Sequence, residues 1–221
     1  MSPGFYRLCW LACRFAKFQC IREVVVGAQR INNHGPVLLA CTHISHLEPF
    51  VVGTLLRRNI RWMSRVEFYR NRLAAAVLNL GGAFPVDRFG NAIPAVREAI
   101  ALLNDGQVVG IFPEGGVATG EQSVLRGAKI KQGVCTVAVR TRVPVIPVVI
   151  LGTDKLNRVG PWVPFRRGRV LVAFGQQVAP PPASGCRGDD RREMAARLEA
   201  EFVRTYQDLL QTSGLLDSDV P

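Results

Sequence analysis

The chain has 221 residues, which fits one domain with at most a small appendage. Hydrophobic residues make up 48% of it and charged residues 20%, enough for a packed core, which excludes a chain that is disordered throughout. The formal net charge of +11 favours nucleic acid, anionic lipid headgroups or phosphorylated substrates as partners. Because no nucleic-acid-binding signature is present, we expect no nucleic acid partner. The six cysteines form no CxxC pair, so a reducing, cytosolic setting is expected.

The first segment, residues 4–18 (GFYRLCWLACRFAKF), predicts an amphipathic helix with a narrow basic stripe and a wide aromatic face. A helix of this length spans about 22 Å. A bilayer core is about 30 Å thick, so we do not expect the helix to cross it. We expect it to lie in the membrane interface, with Phe5, Trp10 and Phe15 as anchors. The alternative is a helix that packs on the protein's own core.

Short apolar runs then alternate with helical stretches. The strand candidates are residues 36–41, 60–64, 83–86, 107–112, 143–150 and 169–174. The helix candidates are residues 47–57, 67–79, 92–104, 127–141 and 189–211. This alternation predicts an α/β fold with a largely parallel sheet flanked by helices. We expect three parts: an N-terminal amphipathic helical segment (1–30), the α/β domain (31–179), and a linker with a C-terminal helix packed on the same domain (180–221).

Two histidines and a glutamate follow the first predicted strand, within CTHISHLEPF (41–50). If His43 lies in the turn before the helix, Glu48 can bond one ring nitrogen and leave the other to act as a general base. A second interpretation is a capping box, in which Ser45 caps the helix and Glu48 reaches back to the Ser45 amide. A third is a metal site that combines His43 and His46 with Glu48 or His34, although no second cluster completes it.

Two glycine-containing turns follow later strands. In IFPEGG (111–116), Glu114 can bond a hydroxyl or a basic side chain, or it can simply face solvent in a tight turn. In GGAFPVDR (81–88), Arg88 can bind a phosphate, or it can form a surface ion pair. Because sites in parallel sheets lie beyond the carboxyl ends of the strands, we expect these turns and the histidine cluster to converge on one edge.

Further along, GAKIKQG (127–133) places Lys129 and Lys131 near the start of a predicted helix. Cations at that position oppose the helix dipole, which favours an anion nearby. The alternative is that both side chains are simply solvated.

Taken together, these blocks resemble the glycerophospholipid acyltransferase family, the group that contains 1-acylglycerol-3-phosphate acyltransferases. The family carries an H-x4-D block, a G-x-x-F block that ends in arginine, F-P-E-G, and an apolar V-P-V strand. The corresponding blocks here are His43 to Glu48, Gly81 to Arg88, Phe112 to Gly115, and Val143 to Pro147. The resemblance covers residues 36–174, and the four blocks keep their order.

The resemblance implies transfer of a fatty acyl group from acyl-CoA or acyl carrier protein to the hydroxyl of a lysophospholipid in phospholipid biosynthesis, and the acceptor it first suggests is 1-acylglycerol-3-phosphate. His43 would be the general base, Glu48 would orient it, and Arg88 would hold the acceptor phosphate. Glu114 and Gly115 would shape the acceptor pocket. We expect no metal or cofactor, and a peripheral location on the cytoplasmic face of a bacterial inner membrane.

Two positions depart from the family pattern. Glu48 stands where aspartate is usual, and Val117 stands where an arginine usually follows F-P-E-G. If that arginine binds the acceptor phosphate, then Arg126, Lys129 or Lys131 replaces it, or the acceptor is a different lysolipid. The departures also allow a non-catalytic relative that only binds anionic lipid, and the histidine pair leaves a metal-dependent hydrolase as a third hypothesis.

Overall fold

The protein is described by a computed structural model that covers residues 10–11, 14–15, 21–31, 34–56, 58–154 and 168–214. It confirms the predicted α/β fold. The strands of the described residues are β1 (Ile21–Val26), β2 (Val37–Cys41), β3 (Ile60–Arg65), β4 (Phe84–Val86), β5 (Val108–Ile111), β6 (Val145–Leu151) and β7 (Gly168–Phe174). The principal helices are α1 (Glu48–Leu55), α2 (Arg72–Gly81), α3 (Ile93–Asn104), α4 (Gln132–Thr141) and α5 (Arg187–Ser213).

These strands form one seven-stranded sheet in the order β1-β7-β6-β2-β5-β3-β4. Every pairing is parallel except that of β6 with β7, as expected for a largely parallel sheet. The central strands β2 and β6 are buried along their whole length because both faces of the sheet are covered. Successive residues of β2 alternate between faces: Leu38 packs with α3, α4 and α5, and Leu39 packs with α1.

Strand β1 was not predicted. Its sequence, IREVVV, falls within the range 1–30 that the sequence analysis assigned to a helical segment, but it pairs with β7 at the edge of the sheet. The turn that follows fits tightly, since a Cβ on Gly27 would lie 2.3 Å from the Phe174 carbonyl oxygen. Arg30 donates a hydrogen bond of 2.7 Å to the same oxygen. The β-branched run therefore forms an edge strand of the sheet, and its composition alone favours a strand.

Two helices begin later than predicted. Residues 66–70 form a 3-10 turn, and α2 begins only after Asn71, whose side chain accepts hydrogen bonds from the first amides of the helix. Residues 127–131 are extended or turn structure, because Gly127 takes a left-handed conformation and the Lys131 amide bonds the Pro113 carbonyl oxygen at 2.7 Å. Lys131 therefore lies immediately before α4, beside the F-P-E-G turn.

Candidate active site

The carboxyl ends of β2 and β6 bring together a three-residue chain of hydrogen bonds. His43 lies just beyond β2, and Glu48 is the first residue of α1. Glu48 Oε2 lies 2.8 Å from His43 Nδ1, while Thr153, just beyond β6, donates from Oγ1 to Glu48 Oε1 at 2.5 Å. Glu48 is fully buried. With Nδ1 held by the carboxylate, Nε2 is the ring nitrogen left to accept a proton.

The predicted capping box is not formed. Ser45 Oγ accepts the Leu47 amide at 3.0 Å, and the residue before α1 is Leu47, which provides no side-chain cap. Glu48 turns away from Ser45 because both of its oxygens bond His43 and Thr153 inside the protein.

Glu114 fixes the backbone that carries His43. Its Oε2 accepts the His43 amide at 2.8 Å, and its Oε1 accepts the Ser123 hydroxyl and the Val124 amide, both at 3.0 Å. On the other side, the His43 carbonyl accepts the Ala118 amide at 2.8 Å. Burial raises the pKa of the Glu114 carboxyl, and the hydrogen bonds it accepts oppose that rise. Glu114 therefore joins three segments around the histidine, and its side chain is not a solvent-facing turn residue.

Aromatic rings hold the imidazole from one side. Phe112 stacks on His43 with ring centroids 4.2 Å apart, and Trp62 stacks on Phe112 at 5.1 Å. Trp62 lies flat against β5 because the neighbouring residue is Gly110, where a Cβ would come within 2.4 Å of the indole ring. The glycine thus makes room for the stack that orients the histidine.

The histidine opens onto a cavity of about 1040 Å³ with a largely apolar wall. Such a volume lies at the upper end of the range for ligand pockets, which suits a bulky apolar ligand. The polar and apolar side chains that line it include His43, Arg65, Phe68, Val77, Arg88, Phe89, Val117 and Lys131.

Three basic side chains lie where this cavity meets the F-P-E-G turn. Arg88 Nη1 donates to the Gly115 carbonyl oxygen. Burial lowers the pKa of Arg88, and the nearby charge of Arg65 lowers it further, while Glu67 opposes both effects. Lys131 passes over Gly115, where a Cβ would lie 3.2 Å from the lysine Cγ. Two arginines and a lysine around one cavity favour an anionic ligand.

The other two predicted phosphate-binding cations lie elsewhere. Lys129 pairs with Glu199 of α5 at 2.8 Å, and Arg126 lies over the ring of Tyr206, also on α5, at 5.9 Å. Neither lines the cavity. Of the three basic residues suggested to replace the missing arginine, the structure brings only Lys131 to the site.

The predicted membrane anchors divide between two environments. Trp10 donates from its indole nitrogen to the Leu56 carbonyl at 3.2 Å and lines the cavity, so it contacts the protein's own core region. Phe15 is exposed. Phe5 lies outside the described residues. Across the described ranges, no helix has both the length and the apolar character needed to cross a bilayer.

The metal hypothesis finds no support in the described part of the chain, where no three His, Cys, Asp or Glu side chains come together as ligands. His46 instead stands edge-on to His43, with ring centroids 5.8 Å apart, and lines the cavity.

Three site residues were missed by the sequence analysis: Thr153, Arg65 and Trp62. Arg65 ends β3 and Thr153 follows β6, so the edge rule that found His43 could have found both. Trp62 could not have been found in this way, because its role depends on a glycine in the neighbouring strand.

Comparison with known proteins gives consistent results. Residues 22–151 match the family model described as Acyltransferase. The 1-acyl-sn-glycerol-3-phosphate acyltransferase of Bacillus subtilis is 28% identical over 140 residues, which is 63% of this chain and 65% of that enzyme. The enzyme of that name from Saccharomyces cerevisiae is 24% identical, over 89% of this chain and 64% of its own length. The chain thus spans less than two thirds of these relatives.

Among solved structures, the 1-acyl-sn-glycerophosphate (LPA) acyltransferase PlsC from Thermotoga maritima superposes with a TM-score of 0.62 at 21% identity. The superposition covers 89% of this chain and 76% of that one. At this level of identity the likeness concerns the fold.

Proposed function

Since this chain belongs to the glycerophospholipid acyltransferase family, we propose that it transfers a fatty acyl group from a thioester to the hydroxyl of 1-acylglycerol-3-phosphate. The observation that carries the proposal is the hydrogen-bonded chain of Thr153, Glu48 and His43 at the edge of a cavity. The sequence relatives share the name of this activity.

The chemistry needs one base and no nucleophile from the protein. His43 Nε2 takes the proton of the acceptor hydroxyl while the oxygen attacks the thioester carbonyl. The buried Glu48 carboxylate stabilises the imidazolium that forms. When the tetrahedral intermediate collapses, the C–S bond breaks, and the imidazolium proton leaves with the thiol. The products are a diacylglycerol phosphate and the free thiol of the donor.

The acceptor phosphate would bind where Arg65, Arg88 and Lys131 surround the cavity beside Gly115. Charge-assisted hydrogen bonds to such a group are strong, and arginine matches phosphate geometry. Val117 faces the same cavity and adds no charge. That substitution favours a second candidate, an acyltransferase of the same mechanism whose acceptor is a different lysolipid.

The donor is proposed to be acyl-CoA or acyl carrier protein, a substrate and not a cofactor, and the role to be phospholipid biosynthesis. We also place the protein at the cytoplasmic face of a bacterial inner membrane, as a peripheral protein. Its net charge of +11 and its exposed apolar side chains support a membrane surface as partner.

A panel of lysolipids offered with acyl-CoA and acyl carrier protein donors, followed by thiol release, tests this function. Replacing His43 with alanine should lower the rate by about 10²- to 10⁴-fold, the usual value of a general base. His46→Ala is the matched control, because His46 lines the same cavity while the bond to Glu48 is made by His43. This variant should keep most of the activity. A His43→Ala protein that keeps its fold and its activity would exclude the mechanism. Strong transfer to a neutral lysolipid alone would favour the second candidate.

A further inference from the structure

Helix α2 presents an apolar face to solvent. None of its residues is buried, and Leu73, Val77 and Leu80 recur at the spacing that places them on one side. Leu73 is 80% exposed and Val77 is 64% exposed. An amphipathic helix of a globular domain normally turns such a face toward the core. Here the face points outward, and an exposed apolar surface of this kind marks an interaction site.

Both ends of the helix are capped. At the start, Asn71 Oδ1 accepts the amides of Leu73 and Ala74 at 2.9 and 3.1 Å. At the end, Gly82 takes the left-handed conformation, and its amide bonds the Asn79 carbonyl at 3.0 Å. The helix is therefore capped at each terminus, which fixes where it begins and ends.

This face continues around the mouth of the cavity. Other exposed apolar side chains that line the cavity extend it, and together they form what we call the rim surface: Phe50, Phe68, Leu73, Val77, Leu80 and Phe89. Phe89 is 85% exposed. All of these except Leu73 line the cavity as well, so these side chains belong both to the exposed surface and to the cavity wall.

The helical part of the rim surface has basic neighbours, and the acidic residues next along the chain, Glu67 and Asp87, lie just outside it. From Phe68 to Val86 the chain carries Arg70 and Arg72 and no acidic residue. Both arginines are exposed. Arginine can lay its methylenes on an apolar layer while its guanidinium stays among phosphate headgroups. An apolar patch flanked by arginine fits the boundary between acyl chains and anionic headgroups.

We propose that the rim surface docks the protein on a bilayer that contains anionic lipid, so that a lysolipid enters the cavity directly from the membrane. This inference rests on the proposed function in taking the ligand of the cavity to be a membrane lysolipid. It assigns docking to α2 and its neighbours, in addition to the amino-terminal segment that contains Phe15.

The test is flotation of the full chain with vesicles of phosphatidylcholine, with and without phosphatidylglycerol. Leu73→Gln is the informative variant, because Leu73 belongs to the rim surface without lining the cavity, and its high exposure leaves the fold intact. Binding to anionic vesicles should weaken about tenfold, the scale of withdrawing one leucine from an apolar phase. The matched control is Ala196→Gln, an apolar-to-glutamine change on the exposed side of α5, which should bind as the wild type does.

Phe15→Gln separates the two docking elements. Weaker binding of Leu73→Gln supports the proposal, whether or not Phe15→Gln also binds more weakly. Wild-type binding of Leu73→Gln, with a loss confined to Phe15→Gln, would overturn it. So would a wild-type dimer that Leu73→Gln dissociates while vesicle binding stays unchanged, since the surface would then hold a second copy of the chain.

A second readout keeps this proposal distinct from the proposed function. Acyl transfer to a short-chain lysophosphatidate, dissolved as a monomer, should be equal in the wild type and Leu73→Gln, and transfer to acceptor in vesicles should fall with binding. If the wild type transfers no acyl group but Leu73→Gln still weakens flotation, the function fails and the docking surface stands. If transfer from vesicles is the same in both proteins, the docking surface fails.

Discussion

Glu48 needs the full length of its side chain to make its two hydrogen bonds. One carboxylate oxygen bonds His43 and the other bonds Thr153, across a distance that the glutamate side chain spans from the first residue of α1. An aspartate there would be one methylene shorter and could not keep both partners on the same backbone. We therefore interpret Glu48 and Thr153 as a matched pair. Glu48→Asp should lower activity in this protein, although aspartate is the residue usual in the family.

Thr153 tests that interpretation as a positioning residue. Thr153→Val removes the hydroxyl that orients Glu48, so kcat should fall about tenfold, the lower end of the cost of a hydrogen bond to a charged group. The KM for the acceptor should change little, because the cavity wall is intact. Thr153→Ser restores the hydroxyl and should restore kcat. An equal loss in the serine and valine variants would point to packing and not to orientation.

Lys129 and Lys131 form a natural pair for testing acceptor binding. Lys131→Gln should raise the KM for lysophosphatidate by about threefold to tenfold, a reduced value because the side chain is exposed and screened. The KM for an uncharged monoacylglycerol should not change. Lys129→Gln, whose partner is Glu199 on α5, should leave both constants unchanged. If the two variants behave alike, the effect is one of overall charge.

The sequence located His43, the proposed general base, through its position after an apolar strand, but it could not tell two lysines apart. Lys129 and Lys131 are two residues apart, a spacing that puts side chains on the same side of a regular extended segment, yet Lys129 pairs with Glu199 and Lys131 lines the cavity. Which lysine faces the cavity depends on where α5 packs, because Glu199, the partner of Lys129, lies on that helix, 70 residues away in the chain. Local spacing contains no information about that contact.

At the level of elements, the sheet holds the imidazole through the neighbouring strands β3 and β5. Gly110 lets the Trp62 ring lie on β5, and Phe112 transmits that support to His43. Gly110→Ala places a methyl group 2.4 Å from the indole ring, so we expect a destabilisation of about 1–3 kcal/mol, typical of overpacking. Activity should fall as well, because the stack must shift. Denaturant unfolding and kcat, measured on the same preparation, check both effects.

The control for that variant is Gly133→Ala, at a glycine in α4 where an added Cβ meets nothing within 4 Å. That change should stabilise the helix slightly or leave it unchanged. Equal losses of unfolding free energy in both variants would contradict the packing explanation; kcat is compared only with the wild type, because Gly133 also lines the cavity.

Strands and helices with strong local patterns were predicted well, and the exceptions have a common physical cause. The run VLLAC reads as a buried strand on its own, and β2 matches it within a residue. Helix α2 has a clear apolar stripe, yet periodicity cannot say whether the stripe faces the core or the solvent. That choice depends on the surrounding fold, which turned the stripe outward.

For the whole molecule, the position of the site followed mainly from the rule that sites lie beyond the carboxyl ends of parallel strands. The turns after β2, β4 and β5 were expected to converge from their order in the chain, and His43, Arg88 and Glu114 do line one cavity. Strand β1 escaped prediction because its partner, β7, lies near the other end of the chain. The β-branched run IREVVV and the Gly27 that follows it are local strand and turn signals, but nothing local identifies a partner strand so far along the chain.

The pairing of β1 with β7 has a consequence for how the chain is made. Ile21 is synthesised well before its partner Gly168, because the chain grows at about 5–20 residues per second. Strand β1 therefore has no partner, and Val24, Val25 and Val26 stay unpaired, until β7 has emerged from the ribosome. Pairing at this outer edge of the sheet therefore cannot begin before β7 has been synthesised.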